Sequence, residues 1–341
     1  MDQAPPQSQP SEPDRKAGKP RRLAILTAGG DAPGMNAAIR SVVRMANGAG
    51  IELVGAKGGF AGLVYGDFMP LTNRSVSNVI QQGGTILETS RSSEFSTASG
   101  RARAAENLRY RAVNGLIVLG GDGSLAAARA FAAENPMPVM FIPATIDNDV
   151  PSTDHSIGFD TAVNTALEAI DRIRDTAFAS ERLFFVEVMG RDSGFIALSV
   201  AIGGGAEAVI VPEIPFDFDE LCQRIEESKQ RGKRSSIIVV SEGPRTGGAI
   251  AIANQVSSRL GIQSRIVVLG HIQRGGAPTA RDRLLASLMG AAAVRAFIEQ
   301  RPSSLIGDAG GVVDYVPFEA VDEGPRKLDQ SLIDLVYQLS I

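Results

Sequence analysis

Residues 115–134 read GLIVLGGDGSLAAARAFAAE, an apolar run that leads through a glycine-rich turn into an alanine-rich stretch. The run Gly115–Leu119 has the length and composition of a strand buried on both faces, and the stretch Ser124–Glu134 has those of a helix. Three glycines surround one carboxylate, Asp122, at the point where the strand would end. We therefore predict a strand, a ligand-binding turn and a helix, which is the building unit of an α/β protein.

The same unit recurs along the chain. Five more apolar runs are each followed directly by a polar or glycine-rich segment. The pairs are Leu23–Leu26 with Thr27–Gly34; Pro138–Ile142 with Pro143–Asp149; Leu183–Val188 with Met189–Arg191; Ile237–Val240 with Ser241–Gly243; and Ile266–Leu269 with Gly270–Gly276. Helix patterns between these runs lie at Ile39–Ala46, Thr161–Ala177 and Ser193–Ile202. Such alternation predicts parallel sheets covered by helices on both faces, with ligands bound at the carboxyl ends of the strands. The number of polar loops indicates two substrates rather than one.

Composition narrows the class of protein. The chain has 341 residues, a formal net charge of -4 and 44% hydrophobic residues, which indicates two domains and excludes a wholly disordered chain. The near-neutral charge argues against a general nucleic-acid binder, and the apolar runs are too short to span a membrane. Cys222 is the one cysteine, and the start lacks the features of a signal peptide, so we predict a cytosolic protein.

The first twenty residues differ from the rest in composition. They contain five of the 18 prolines, mixed with glutamine, serine and charged residues. Such a segment buries too little apolar surface to offset the entropy lost on ordering. We therefore predict a disordered tail over residues 1–20.

Two glycine-rich loops are candidates for phosphate binding. Gly29 and Gly30 would allow backbone N–H groups to approach an anion, although glycines at such a place also form plain tight turns. Asp122 could hold Mg²⁺, which prefers one or two carboxylates together with phosphate oxygens. The alternative is that Asp122 forms a turn or caps the following helix.

A pair of carboxylates follows another predicted strand. Asp147 and Asp149 would share one side of the chain if the backbone there were extended. One could act as a general base, and the other could hold metal or shift the pKa of the first. The alternative is an ordinary loop rich in aspartate and asparagine.

Several basic residues lie in loops after apolar runs. Arg191, His271 and Arg274 are flanked by glycines, and a planar guanidinium suits bidentate phosphate binding, although each residue alone is typical of a solvated surface. The sequence contains neither a P-loop motif nor a nucleophile elbow. These features together favour phosphoryl transfer from a nucleotide-like donor to a phosphorylated acceptor.

As a set, the loops resemble the 6-phosphofructokinase family. The resemblance runs from about Arg22 to about Ala296 and depends on five motifs: residues 27–40 (TAGGDAPGMNAAIR), 120–124 (GGDGS), 145–149 (TIDND), 188–191 (VMGR) and 269–276 (LGHIQRGG). It implies two doubly wound α/β domains with the active site in the cleft between them, and a homotetramer. The first domain would cover residues 21–157 and about 273–323, and the second residues 158–272 and about 324–341.

The resemblance also implies roles for individual residues. Asp147 would be the general base that takes the proton from the sugar 1-hydroxyl, Asp122 would hold Mg²⁺, and Asp149 would lie near the metal–phosphate centre. The groups that stabilise the transferring phosphoryl group or orient the acceptor would be Gly30, Arg91 and Thr145. The nucleotide would be bound by Gly30, Arg91, Ser92, Gly121, Asp122, Gly123 and Ser124.

The sugar phosphate would be bound by a second set. It comprises Thr145, Asp147, Asp149, Met189, Gly190, Arg191, Glu242, His271 and Arg274, joined by Arg182 and Arg265 from the neighbouring subunit. A pocket for an ADP or phosphoenolpyruvate effector would be formed by Arg40, Arg44, Arg174, Glu207, Arg231 and Lys233. Each member of that pocket is also compatible with an ordinary surface charge.

Two positions bear on the phosphoryl donor. Family members that use pyrophosphate typically carry Asp where this chain has Gly123 and Lys where it has Ala144, so the resemblance favours ATP. The chain departs from the bacterial ATP-dependent pattern at Ala144, and at Ser92 and Ser96, which replace aromatic and basic residues. We expect transfer from MgATP to fructose 6-phosphate. The alternatives are the same reaction driven by pyrophosphate, and a non-catalytic subunit that senses nucleotide or sugar phosphate.

Overall fold

The computed structural model describes residues 21–180, 182–233, 235–243 and 245–340. The predicted disordered tail, residues 1–20, lies outside the described residues. The chain forms two β-sheets, and helices pack on both faces of each. Within the described residues, no helix has both the length and the apolar composition required to cross a membrane.

The larger sheet is mainly parallel. Its strands are β1 (Arg22–Thr27), β2 (Glu52–Ala56), β3 (Phe68–Leu71), β4 (Gly115–Gly120), β5 (Val139–Pro143), β10 (Ser304–Ala309) and β11 (Val312–Pro317), in the spatial order β11-β10-β5-β4-β1-β2-β3. The outer strands β3 and β11 run antiparallel to their neighbours. Every residue of β4 and β5 is buried, as their continuous apolar sequences predict.

The smaller sheet has four parallel strands. They are β6 (Leu183–Val188), β7 (Ala208–Ile210), β8 (Ser236–Ser241) and β9 (Ser264–Val268), in the order β7-β8-β6-β9. The helices are α1 (Met35–Gly48), α2 (Phe60–Tyr65), α3 (Ala98–Tyr110), α4 (Asp122–Glu134), α5 (Phe159–Ser180), α6 (Phe195–Gly203), α7 (Phe218–Gln230), α8 (Gly248–Leu260), α9 (Ala280–Ile298) and α10 (Gln330–Leu339), with a short 3-10 helix at Gly270–Arg274.

One apolar core joins the two sheets. It contains residues of both sheets and of the helices packed between them, among them Ile39 on α1, Ile170 on α5 and Met289 on α9. Separate cores cover the outer faces, with α2, α3 and α4 on the larger sheet and α7 and α8 on the smaller. The predicted α/β class with parallel sheets is therefore confirmed.

The order of the strands determines where the loops meet. The chain leaves β1 toward β2 on one side and leaves β4 toward β5 on the other, so neighbours β1 and β4 form a topological switch point. At such a point the loops at the carboxyl ends diverge and leave a crevice for ligands. The two glycine-rich loops, residues 27–34 and 120–124, are the loops that follow β1 and β4.

Candidate active site

Loops from the two sheets meet in one cleft. Asp122 is the first residue of α4, after β4 of the larger sheet, and Arg191 follows β6 of the smaller sheet. Nη1 of Arg191 lies 3.3 Å from Oδ1 of Asp122, and both side chains are more than half exposed. Arg191 has a left-handed backbone (φ 58°), which directs its side chain into the cleft at some conformational cost. The ion pair joins two of the loops predicted to form the site.

Asp122 does not cap its helix. The N-cap of α4 is Gly121, and no side chain accepts a capping hydrogen bond there. The carboxylate of Asp122 is exposed in the cleft instead. The structure thus excludes the alternative of a capping aspartate and leaves this carboxylate available to a ligand.

The Asp147–Asp149 segment is a turn rather than extended chain. β5 ends at Pro143, and Asn148 adopts a left-handed conformation (φ 53°). Its side-chain oxygen accepts a hydrogen bond from the N–H of Ser156 (2.8 Å), and its amide donates to the carbonyl of Asp154 (3.2 Å). The condition of an extended backbone is therefore not met, because the buried amide of Asn148 stabilises a turn.

Burial and neighbouring charges raise the pKa values of both carboxyl groups. Asp147 is 6% exposed, and burial raises the pKa of its carboxyl, while Arg274 opposes that rise and Glu242 adds to it. Burial, together with the charges of Asp122 and Asp147, raises the pKa of Asp149 to about 7. Within the described residues, Oδ1 of each aspartate is buried and accepts no hydrogen bond. The pair therefore presents two carboxylate oxygens that accept no hydrogen bond from the described chain.

The acidic side chains suit a magnesium ion that is bound jointly by the protein and by phosphate oxygens, rather than a metal ion bound by protein ligands alone. No group of three or more His, Cys, Asp or Glu side chains in the described chain is arranged to enclose a metal. Mg²⁺, however, is usually bound by one or two carboxylates and completes its shell with water and phosphate oxygens. The exposed Asp122 and the unpartnered oxygen of Asp149 suit that mode of binding.

The two glycine-rich loops contact each other. The N–H of Ala28 donates to the carbonyl of Leu119 (2.8 Å), and a β-carbon at Gly29 would lie 3.4 Å from Oγ of Ser124. A β-carbon at Gly121 would lie 3.3 Å from Cβ of Thr145, so the loop at residues 145–149 adjoins the glycine-rich loop at residues 120–124. The structure thus brings together Gly30, Gly121, Asp122, Ser124 and Thr145 of the predicted nucleotide and acceptor sites.

The remaining residues of the predicted nucleotide site lie at the rim of the cleft. Arg91 is exposed, and Oγ of Ser92 accepts a hydrogen bond from the N–H of Phe95 (3.2 Å). Gly123 has open space around the position of a β-carbon. The segment before Arg91 is fixed to the first loop, because Oγ1 of Thr89 donates to the carbonyl of Gly29 (2.7 Å).

The predicted sugar site is built on the smaller sheet. Oε1 of Glu242 accepts hydrogen bonds from the N–H groups of Gly190 (3.4 Å) and Arg191 (3.1 Å), which orients its carboxylate. Gln273 is fully buried, and its side-chain oxygen accepts a hydrogen bond from the N–H of Met189 (2.8 Å). Through Gln273, the loop that carries His271 and Arg274 is bonded directly to the loop that carries Met189, Gly190 and Arg191.

Arg182 and Arg265 lie away from the cleft of their own chain. Arg182 precedes β6, and Arg265 pairs with Phe184 near the amino end of that strand. The cleft residues follow the carboxyl end, about 16 Å away at the rise of a parallel strand. Both arginines are exposed. The structure does not bring these two predicted residues to the site within one chain.

Sequence reasoning missed two contacts across the cleft. Ser193, five per cent exposed, donates a hydrogen bond from Oγ to the carbonyl of Asp147 (2.8 Å). The guanidinium of Arg326 lies 4.7 Å from the ring centre of Phe195 and donates to the carbonyl of Asp154 (2.5 Å). No local sequence pattern marks Ser193 or Arg326, because the residues that they contact, Asp147 and Asp154, are distant from them in the sequence.

Three of the predicted effector residues line one cavity of about 830 Å³: Glu207, Arg231 and Lys233. Nζ of Lys233 lies 3.1 Å from Oε1 of the buried Glu207. Arg174 donates to the carbonyl of Gly205, two residues before Glu207 (2.8 Å). Arg40 and Arg44 lie on α1, outside the lining of this cavity.

The arrangement combines two carboxyl groups with raised pKa values, the exposed carboxylate of Asp122, backbone N–H groups and several guanidinium groups. Such a set can remove a proton from an alcohol and stabilise negative charge on a phosphoryl group. Reactions of this type depend on positioning and electrostatics more than on covalent chemistry by the protein.

Comparison with known proteins agrees with this chemistry. Residues 22–297 match the family model described as "Phosphofructokinase". The chain is 50% identical over 321 residues to ATP-dependent 6-phosphofructokinase 1 of Thermus thermophilus, covering 94% of this chain and 100% of the relative. It is 48% identical to ATP-dependent 6-phosphofructokinase 2 of Bacteroides thetaiotaomicron over 94% of this chain and 98% of the relative.

Solved structures share the fold. Phosphofructokinase from Saccharomyces cerevisiae matches with a TM-score of 0.83 and 32% identity, over 94% of this chain but only 48% of that longer chain. A pyrophosphate-dependent phosphofructokinase from Marinobacter aquaeolei matches with a TM-score of 0.80 and 22% identity, over 93% of this chain and 91% of that chain. At that identity the second likeness concerns the fold alone.

Proposed function

The chain belongs to the phosphofructokinase family, and we propose that it transfers the γ-phosphoryl group of ATP to the 1-hydroxyl of fructose 6-phosphate, giving ADP and fructose 1,6-bisphosphate. The observation that carries this proposal is the carboxylate of Asp147, which is buried at the meeting point of the two sheets' loops and has an unpartnered oxygen. A module that only binds ligands needs no such base. The near-complete alignment with ATP-dependent relatives supports the same function.

Asp147 is the proposed general base. Its ionised form accepts the proton of the 1-hydroxyl as the oxygen attacks phosphorus, and burial raises its pKa and so makes it a stronger base than an exposed aspartate. Oγ1 of Thr145 accepts a hydrogen bond from the N–H of Asp147 (3.2 Å), which places the hydroxyl of Thr145 beside the base. In that position Thr145 orients the acceptor.

Other groups stabilise the negative charge of the transferring phosphoryl group. The N–H of Gly30 and the guanidinium of Arg91 are proposed to contact its oxygens, where electrostatic stabilisation lowers the barrier most. The remaining nucleotide contacts are assigned to Ser92, Gly121, Gly123 and Ser124. Mg²⁺, when bound, neutralises phosphate charge, and Asp122 would hold it with Asp149 nearby.

The smaller sheet supplies the sugar site. Glu242, with one oxygen held by backbone N–H groups, is proposed to bind a sugar hydroxyl with the other, beside Met189, Gly190 and Arg191. His271 and Arg274 are proposed to bind the 6-phosphate. We place the cleft between a unit of residues 21–157 and about 273–323 and a unit of residues 158–272 and about 324–341.

Arg182 and Arg265 are proposed to complete the sugar-phosphate site of a neighbouring subunit in a homotetramer. Their position at the amino ends of β6 and β9 keeps them from their own cleft. β9 is an edge strand whose Ile266 and Val268 are exposed, which favours a contact with another chain. The effector pocket assigned to Arg40, Arg44, Arg174, Glu207, Arg231 and Lys233 would likewise require groups from two subunits.

The donor assignment depends on Gly123 and Ala144. The open space beside Gly123 leaves room for a nucleotide α-phosphate, and no lysine lies at position 144 to hold pyrophosphate. A location in the cytosol stays a prediction from the sequence.

A coupled assay for fructose 1,6-bisphosphate tests the proposal. The purified chain is incubated with fructose 6-phosphate and Mg²⁺, with either ATP or pyrophosphate as the donor. We expect turnover with ATP and none with pyrophosphate. Turnover with pyrophosphate alone would overturn the donor assignment, and no turnover with either donor would favour the non-catalytic alternative.

A further inference from the structure

The loop that binds the sugar also contacts the backbone of the proposed base. Ser193 lies two residues after Arg191. It directly precedes Gly194, the N-cap of α6, which begins at Phe195. Its hydroxyl donates to the carbonyl oxygen of Asp147 over 2.8 Å, in a position that is 5% exposed. The bond therefore joins the smaller sheet to the residue of the larger sheet on which the proposed chemistry depends.

Ser193 is itself held firmly. Its N–H donates to the carbonyl of Gly190 (2.9 Å), and its carbonyl accepts from Oγ of Ser241 (3.1 Å). A β-carbon at Gly190 would lie 2.2 Å from the carbonyl oxygen of Ser193, so the loop is tightly packed. A hydroxyl fixed in this way can act as a rigid reference for the group it binds.

The base, by contrast, has few restraints of its own. Oδ1 of Asp147 accepts no hydrogen bond within the described chain, so no hydrogen bond to that atom restrains the carboxylate. That backbone turns through the left-handed Asn148 immediately afterwards. A shift of the peptide between Asp147 and Asn148 would move the carboxylate relative to the sugar hydroxyl, and small displacements of a base cost large factors in rate.

We propose that Ser193 is a positioning residue that fixes the backbone of Asp147 relative to the sugar loop. This inference rests on the proposed function, because it requires Asp147 to act as the base. The hydrogen bond from the hydroxyl holds the backbone of the base against the loop of Arg191. Small motions between the two sheets then change the distance between them less. Removal of the hydroxyl leaves both substrate sites intact but lets the base drift from its acceptor.

The test compares Ser193→Ala with a matched control, Ser304→Ala. Ser304 is also buried (1% exposed) and also donates to a backbone carbonyl, that of Pro302 (2.8 Å), but it begins β10 and contributes nothing to the cleft. We expect Ser193→Ala to lower kcat about five- to tenfold, the effect of losing one buried hydrogen bond, with both KM values within about twofold of wild type. Ser304→Ala should lower Tm similarly and leave kcat unchanged.

A double-mutant cycle separates positioning from general damage. In the Asp147→Asn background, Ser193→Ala should lower the residual kcat less than about twofold, because the group it positions is already lost. An unchanged kcat in the single variant, or the same loss in both backgrounds, would overturn the inference. If Asp147→Asn alone retains wild-type kcat, the base assignment fails instead, so the two failures are distinguishable.

Discussion

The guanidinium of Arg274 lies against the backbone of Gly30. A β-carbon at position 30 would stand 2.3 Å from Nη1 of Arg274, and that nitrogen donates to the carbonyl of Asp31 over 3.2 Å. Gly30 follows β1 of the larger sheet, and Arg274 ends the 3-10 helix that follows β9 of the smaller sheet. The loop proposed to stabilise the transferring phosphoryl group therefore contacts the arginine proposed to bind the 6-phosphate.

This contact predicts that Gly30→Ala weakens the binding of fructose 6-phosphate. The new methyl group would displace Arg274. KM for fructose 6-phosphate should therefore rise, and kcat/KM for fructose 6-phosphate should fall about tenfold or more. Steady-state kinetics with each substrate varied in turn measures the effect. Gly48→Ala is the control, because a β-carbon there, at the end of α1, meets nothing within 4 Å. Wild-type KM values for fructose 6-phosphate in Gly30→Ala would contradict the prediction.

A charge at position 123 should act on the donor alone. Gly123 is the second residue of α4, where an acidic side chain suits the helix dipole, and a β-carbon meets nothing within 4 Å. Gly123→Asp should therefore preserve Tm but lower kcat/KM for ATP about tenfold, because its carboxylate repels the nucleotide phosphates. Gly123→Asn, of equal size, separates charge from bulk. Equal losses in the two variants would exclude repulsion as the cause.

The sequence predicted the parts of the fold that have a local cause. Strands such as β4 are buried on both faces, so their sequences are continuous apolar runs that stand out between polar loops. β3 and β11 escaped prediction because they are partly exposed outer strands, and their apolar runs are interrupted by Pro70 and Asp314. The antiparallel pairing of these two strands depends on their partners, which no local pattern encodes.

The site shows the same division. Asp122, Asp147 and Asp149 could be selected from the sequence because acidic residues follow apolar strands there. The turn at Asn148 could not, because its conformation is stabilised by hydrogen bonds to Ser156 and Asp154. The contacts of Ser193 with Asp147 and of Gln273 with Met189 join residues 46 and 84 positions apart, so only the tertiary structure reveals them.

The surroundings of Asp147 predict how activity depends on pH. Burial raises the pKa of Asp147, and the ionised form is the base, so kcat/KM should be lost as the pH falls through a value above that of an ordinary aspartate. The charge of Glu242 adds to that rise. Glu242→Gln removes this charge and lowers the pKa of Asp147, so the acid limb should move to lower pH.

The difference between the two pH profiles is the measurement, since titration of the substrates affects both proteins equally. Profiles of kcat/KM for fructose 6-phosphate are recorded at saturating ATP and Mg²⁺. Asp171→Asn, on the exposed side of α5, is a control that removes a distant charge. An acid limb that stays in place, or moves to higher pH, in Glu242→Gln would argue against coupling between the carboxyl groups of Asp147 and Glu242.

A site shared between subunits predicts rescue of one defective variant by another. Arg265→Ala removes an exposed residue of β9 and should raise KM for fructose 6-phosphate about tenfold or more with little change in Tm, because a phosphate contact is lost while no packing is disturbed. Asp147→Asn should lower kcat instead. Arg172→Ala, also exposed, is the control for loss of a surface charge.

Co-expression of these two variants then tests from which subunit Arg265 acts. If each site combines Asp147 of one chain with Arg265 of its neighbour, a mixed pair contains one intact site and one doubly defective site. When chains pair at random across a two-fold interface, about half of the pairs are mixed. Roughly a quarter of all sites are then intact. At fructose 6-phosphate concentrations well below the KM of Arg265→Ala, the mixture should exceed the average activity of the separate variants severalfold. Activity no higher than that average would place both residues in the site of a single chain, against the distance that separates Arg265 from its own cleft.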